Sequence, residues 1–237
     1  MQFFYRSLSF FLLVLFSLTL SLAQENQKKE NPLARLEKEV QAFEAKDKES
    51  APPEDPILLV GSSSVRFWMT MKKDLAPLRV MNRGFGGSTF PELLYYYDRL
   101  VKPYSPKAIL VYEGDNDLLM EGMTPENVLN NMKSFYSRVQ NDFPGVKVWF
   151  ISIKPSIARA NLLETMQESN RLVKAYAAQT EHMEFLDVAS PMLNEDGSIK
   201  DDIFVRDNLH MNAKGYAIWT KIIHPALLKE YSKKGIE

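Results

Sequence analysis

ILLVGSSSV, Ile57–Val65, is the stretch on which the reading of this chain turns. Four consecutive aliphatic residues without polar alternation suit a strand buried on both faces, the habit of a parallel sheet. Gly61 and three serines then stop the run, and a helix is expected over Val65–Lys72. Downstream the alternation repeats. LRVM at 78–81, AILVY at 108–112, VWFISI at 148–153 and FLDV at 185–188 read as four more strands. Helical patterns fall near Pro91–Val101, Pro125–Phe143, Asn161–Thr180 and Asn212–Tyr231. Strands alternating with helices predict an α/β domain with a parallel sheet and helices on both faces, because a parallel connection must be long enough to hold a helix. Such sheets carry their ligands beyond the carboxyl ends of the strands.

Upstream of Ile57 the pattern changes. NPLARLEKEVQAFEAKDKES places Leu33, Leu36, Val40 and Phe43 at helical spacing among charges, which predicts an amphipathic helix, and APPEDP at 51–56 ends it. The first residues put Arg6 before an apolar run, with Ser21 and Ala23 at the small-residue positions of a cleavage site. The run from Leu8 to Leu20 is shorter than the roughly 20 residues that span a bilayer. A secretory leader over 1–23, cleaved after Ala23, is therefore expected, followed by an N-terminal helix and connector over 24–56 and a single domain over 57–237. The mature protein is expected to be secreted or periplasmic, without stable membrane insertion.

The 237 residues are 45% hydrophobic and 25% charged, as in ordinary globular domains, and the formal net charge of −1 offers no basic field to attract nucleic acid or an anionic membrane. There is no cysteine, so disulfides, thiol nucleophiles and cysteine metal sites are excluded; any metal would need His182, His210, His224 or carboxylates. No cofactor or metal is expected.

Four segments fall where the topology places a site. Gly61–Val65, GSSSV, sets a serine at a strand-to-helix turn, where a hydroxyl is exposed and helix N–H groups can meet an anion; the plainer reading is helix capping. Asn82–Thr89, NRGFGGST, has glycines able to present backbone N–H groups at close range, or simply to turn; it lacks the G-x-G-x-x-G of a dinucleotide loop. Glu113–Asp117, EGDND, offers the Asn116 amide as an oxyanion donor, with a tight turn or an acidic metal cluster as alternatives. Asp207–Asn212, DNLHMN, sets a carboxylate three residues before His210, a spacing that can fix the imidazole tautomer that takes a serine proton.

In the order Ser, Gly, Asn, then Asp-x-x-His, these blocks resemble the SGNH, or GDSL-like, hydrolases, over Ile57 to about Leu228. The Gly-Gly-Ser-Thr and Asp-x-Leu-His wording is similar to the subgroup of platelet-activating-factor acetylhydrolase catalytic subunits and bacterial acetylesterases. The resemblance implies a flavodoxin-like three-layer fold with strand order 2-1-3-4-5. It implies a serine esterase in which Ser63 is nucleophile, His210 base and Asp207 its orienting acid. The N–H groups of Ser63 and Gly87 and the side chain of Asn116 would hold the oxyanion. Ser62 stands where the family has Asp, and Asp115 where Thr or Glu often precedes the Asn. A small-molecule or carbohydrate ester, with acetyl favoured, is the expected substrate, and Arg66, Trp68, Arg83 and Phe85 are expected to shape its pocket. The rival expectations are a catalytically silent carbohydrate- or lipid-binding protein on the same fold and a metal-dependent hydrolase built on His210 and the acidic cluster.

Overall fold

β1 (Ile57–Gly61) lies at the centre of the sheet with every residue buried. It pairs in parallel with β2 (Val80–Gly84) on one side and β3 (Ala108–Tyr112) on the other. The computed structural model, which describes residues 31–231, continues the parallel sheet through β4 (Lys147–Ile151) to β5 (Met183–Leu186), in the order β2-β1-β3-β4-β5. That is the order expected from the sequence. The predicted leader lies outside the described residues.

Alternate residues of the central strands feed two separate cores, as the period of two requires. Leu58, Val60, Ile109, Val111, Val148 and Phe150 join one cluster, and Ile57, Leu59, Ala108, Leu110, Trp149 and Ile151 the other. The first cluster is covered by α1 (Glu37–Glu49), by two short helices, α4 (Phe90–Tyr95) and α5 (Tyr97–Leu100), and by α6 (Pro125–Asp142) and α7 (Leu163–Ala177). The short helices α2 (Ser63–Arg66) and α3 (Met71–Asp74) and the long α8 (Ala213–Tyr231) cover the second. Among the described residues, no helix is long and apolar enough to cross a membrane.

Element boundaries depart from expectation where polar residues acquire partners. β2 runs to Gly84 rather than ending at Met81, because Asn82, Arg83 and Gly84 pair in register with Leu59, Val60 and Gly61. Arg83 can be buried there because its guanidinium meets Asp47 and donates to the Tyr104 hydroxyl at 2.9 Å. β4 and β5 both begin earlier than predicted and end at Ile151 and Leu186. The expected helix 65–72 is broken into α2 and α3, and that at 91–101 into α4 and α5. At the end of β1, Gly61 adopts φ +126°, and a Cβ there would lie 2.0 Å from the Tyr112 carbonyl oxygen. Only glycine permits this turn against the neighbouring strand.

Candidate active site

Ser63 is the first residue of α2, immediately beyond the carboxyl end of β1. Its neighbours Ser62 and Ser64 are 0% and 2% exposed, which leaves Ser63 as the member of the triplet that faces out. Ser62 N–H donates to the Tyr112 carbonyl at 3.0 Å, and Tyr216 Oη donates to the Ser64 carbonyl, so the turn is pinned from both sides.

The partner of Ser63 comes from a loop 147 residues away. His210 Nε2 lies 2.9 Å from Ser63 Oγ, and His210 Nδ1 lies 2.6 Å from Asp207 Oδ2. Asp207 Oδ1 accepts the N–H groups of Leu209 and His210, both at 2.9 Å. Burial raises the Asp207 carboxyl, but the hydrogen bonds from the imidazole and these two N–H groups outweigh it and hold the group down at about 2. An ionised carboxylate can only accept, so Nδ1 carries the imidazole proton and Nε2 is left to accept from the Ser63 hydroxyl. Two contacts tie the loop to the segment after β4: Lys154 Nζ donates to the Leu209 carbonyl at 2.8 Å, and Ala158 N–H to the Asn208 carbonyl at 3.0 Å. Asn208 takes φ +56°, as such a tight turn needs.

In the loop after β2, Gly87 has φ +67°, and nothing stands within 4 Å of the place a Cβ would occupy. Asn116 donates through Nδ2 to the Ser88 carbonyl at 2.8 Å, while its Oδ1 accepts from Arg159 Nη2 at 2.7 Å. These two contacts fix which end of the amide is which. Arg159, 8% exposed, is paired with Asp115 at 3.0 Å, and the Tyr112 hydroxyl reaches the same carboxylate. Below them, Ser88 Oγ meets Glu113 Oε1 at 2.6 Å, and Asp117 accepts the N–H groups of Phe90 and Gly114. Burial, reinforced by Asp117 and Asp115, pushes the Glu113 carboxyl well above its ordinary range; burial also lifts Asp117 to about 7 and lowers the fully enclosed Lys154 to about 8.

The acidic residues of EGDND are thus each committed to a partner inside the protein. Among the described residues there is no group of three or more His, Asp or Glu placed to hold a metal ion.

The residues expected to shape the pocket differ in exposure. Trp68, 1% exposed, packs against Tyr216 and Trp219 and donates its indole N–H to Asp74. Phe85 is fully buried against Tyr96, and Arg83 is buried at its salt bridge under α1. All three side chains are almost fully buried. Arg66 is exposed but is turned to Glu39. The aromatic beside the site is instead Phe67, 43% exposed, whose ring meets the His210 imidazole edge-on at 5.0 Å. Sequence reasoning also missed Lys154 and Arg159; their position just after β4, at the rim where sites form, was the available signal.

Residues 60–218 match the model of the GDSL-like lipase/acylhydrolase family. The chain belongs to that family. This acylhydrolase is an ester hydrolase by that membership. No curated protein sequence gives a match. Solved structures do: a Streptococcus pneumonia protein provisionally designated a platelet activating factor is 24% identical over 88% of this chain and 98% of its own, with a TM-score of 0.69. A GDSL-like lipase from Bacteroides thetaiotaomicron is 20% identical over 84% of this chain and 99% of its own, TM-score 0.68. A point mutant of an acetyl-xylooligosaccharide esterase from Geobacillus Stearmophilus is 16% identical over 78% and 97%, TM-score 0.58. At these identities, the likenesses establish a shared fold.

Proposed function

We propose that this acylhydrolase is an exported serine esterase that cleaves short-chain esters, acetyl above all, with carbohydrate as the favoured alcohol. The observation that carries the reading is the unbroken line from Asp207 through His210 to Ser63, at 2.6 and 2.9 Å. Binding alone needs no oriented base, so the silent-binder alternative leaves this line unexplained.

The reaction follows from the proton positions. His210 Nε2 takes the Ser63 hydroxyl proton as Oγ bonds to the ester carbon, and the carbonyl electron pair moves onto its oxygen. Ser63 N–H, Gly87 N–H and the second N–H of the Asn116 amide stabilise that oxyanion. When the intermediate collapses, the alcohol leaves with the proton held on His210. Water then attacks the acyl-enzyme, again giving its proton to His210, and the carboxylate departs as Ser63 recovers its hydrogen.

The acetyl preference is supported by the likeness to the acetyl-xylooligosaccharide esterase and by the acetylesterase-like wording of the motifs. Export is supported by Arg6, the apolar run and the small residues at Ser21 and Ala23; sequencing the amino terminus of the protein recovered from the producing cells should give Gln24 first. With p-nitrophenyl acetate, Ser63→Ala should lower kcat by about 10⁴ or more. A fluorophosphonate should label Ser63 and nothing else. A Ser63→Ala protein at parental rate would remove the assignment, and a series of esters of rising acyl length, with acetylated xylan alongside, would test the substrate.

A further inference from the structure

Helix α1 lies ahead of residue 60, where the family match begins, yet it sends four carboxylates onto three arginines of the domain. Glu37 and Glu44 hold Arg99, and Asp47 holds Arg83. Glu39 reaches further, into the loops around Ser63. Its Oε1 accepts from Arg66 Nη1 at 3.1 Å, and its Oε2 accepts the Gly86 N–H at 2.9 Å. Arg66 is the last residue of α2, the helix that Ser63 begins; Gly86 directly precedes Gly87. One carboxylate therefore spans the helix of the nucleophile and the loop of the second oxyanion donor.

The Gly86–Gly87 segment has the widest backbone freedom available to a chain, and an N–H that is to serve as a preset dipole must be denied that freedom. Phe85 N–H is anchored on the Gly61 carbonyl, and the Ser88 carbonyl on Asn116. Between these anchors, Glu39 fixes the peptide plane that comes just before the one carrying the Gly87 N–H. The fit is close: a Cβ on Gly86 would lie 2.4 Å from Arg66 Nη1 and 3.2 Å from Glu39 Oε1. Arg66 has a second use here. A bare carboxylate near the oxyanion would oppose the charge developing there, and the guanidinium beside it offsets that field.

We propose that Glu39 is a positioning residue of this esterase, setting the separation between the N–H groups of Ser63 and Gly87, so that α1 braces the oxyanion hole from outside the family's matched region. The proposal rests on the roles given above to Ser63 and Gly87.

Four variants of the full chain test it: Glu39→Ala, Glu39→Gln, Glu44→Ala and Ser63→Ala, each assayed for kcat and KM on p-nitrophenyl acetate and for melting temperature. Glu39→Ala should lower kcat about tenfold, short of the 10² to 10³ that follows loss of a donor outright, with KM little changed because the contact counts in the transition state. Glu39→Gln, whose amide oxygen still accepts from Gly86, should recover most of that loss. Glu44→Ala breaks a pair on the same helix away from the site, so it should lower the melting temperature comparably and leave kcat at the parental value. Parental kcat in Glu39→Ala, with Ser63→Ala inactive, overturns the proposal alone. So does an equal fall of kcat in Glu44→Ala, which would reduce Glu39 to a stability role, or a Glu39→Gln protein as slow as Glu39→Ala. An active Ser63→Ala protein takes down both this proposal and the reading beneath it.

Discussion

Ser63, Gly87 and Asn116 rise from loops that follow β1, β2 and β3, three adjacent strands, whereas Asp207 and His210 sit on a loop between β5 and α8 that no strand leads into directly. In the first group, Asn116 is embedded in polar contacts running through Ser88, Glu113, Asp115 and Arg159. The second is half open: the side chains of His210 and Asp207 are 25% and 47% exposed, and the loop hangs on Lys154 and Ala158. The difference suits the role proposed for each side. Oxyanion donors help only if their dipoles already point at the place where charge will appear, so they need rigid surroundings. A base needs reach and the correct tautomer, and a carboxylate with local hydrogen bonds supplies both.

A single change on the open side should nevertheless outweigh the loss of an oxyanion donor, because its tautomer is set by one residue. In Asp207→Asn, the amide oxygen would stay on the Leu209 and His210 N–H groups, which the NH2 end cannot accept. The NH2 would then face His210 Nδ1, move the imidazole proton to Nε2 and leave nothing to take the serine proton. We expect kcat to fall by about 10⁴ with the fold intact, as tautomer reversal does in serine hydrolases. A fall below about tenfold would mean that the loop re-forms around the new side chain, and that the open half tolerates change as the rigid half does not.

Asn116→Ala probes the rigid half. It removes one proposed oxyanion donor and also the acceptor of Arg159, so kcat should drop by about 10² to 10³ with KM nearly constant. Arg159→Met would separate the two contributions: the amide is kept but its Oδ1 anchor is lost. If Arg159→Met turns over at the parental rate, the network around Asn116 serves stability and not alignment.

These two halves were unequally legible in the sequence. The aliphatic runs of β1 and β3 announced themselves, because a strand buried on both faces has no polar residue to disguise it. β2 was cut short because Asn82 and Arg83 look like a loop until Asp47 and Tyr104 are placed beside them. Asp207 and His210 could be read as a pair because they are near neighbours in the chain, and Ser63 because a strand ends just before it. The supporting contacts could not. Arg159 finds its meaning in Asn116, 43 residues back, and Glu39 in Gly86, 47 residues ahead, and a single sequence carries no signal of such pairings. The place of Phe67 has a local origin that the sequence does not display: α2 ends at Arg66, and the turn that follows sends the larger ring of Trp68 into the core and the smaller one of Phe67 beside His210.

The smallest effect we expect is also the one that tests whether the rigid half is kept neutral on purpose. Glu113 is buried, and its carboxyl is held well above the ordinary glutamate value of 4.5. The folded protein therefore keeps a proton that the unfolded chain releases once pH exceeds about 4.5. More protons bound in the folded state means that stability declines as pH rises through that window, the reverse of an ion-paired carboxylate. Asp117, raised to about 7, adds a decline of the same sign that is complete near that pH. Glu113→Gln removes one of the two proton sites and keeps an oxygen for the Ser88 hydroxyl. Its melting temperature should fall less than the parent's between about pH 5 and about pH 8, and what decline remains should end near the Asp117 value. Calorimetry across that range measures this directly. Parallel curves for parent and variant would mean that Glu113 is ionised in the folded protein, and a negative charge beneath Ser88 would then have to be reconciled with an oxyanion forming above it.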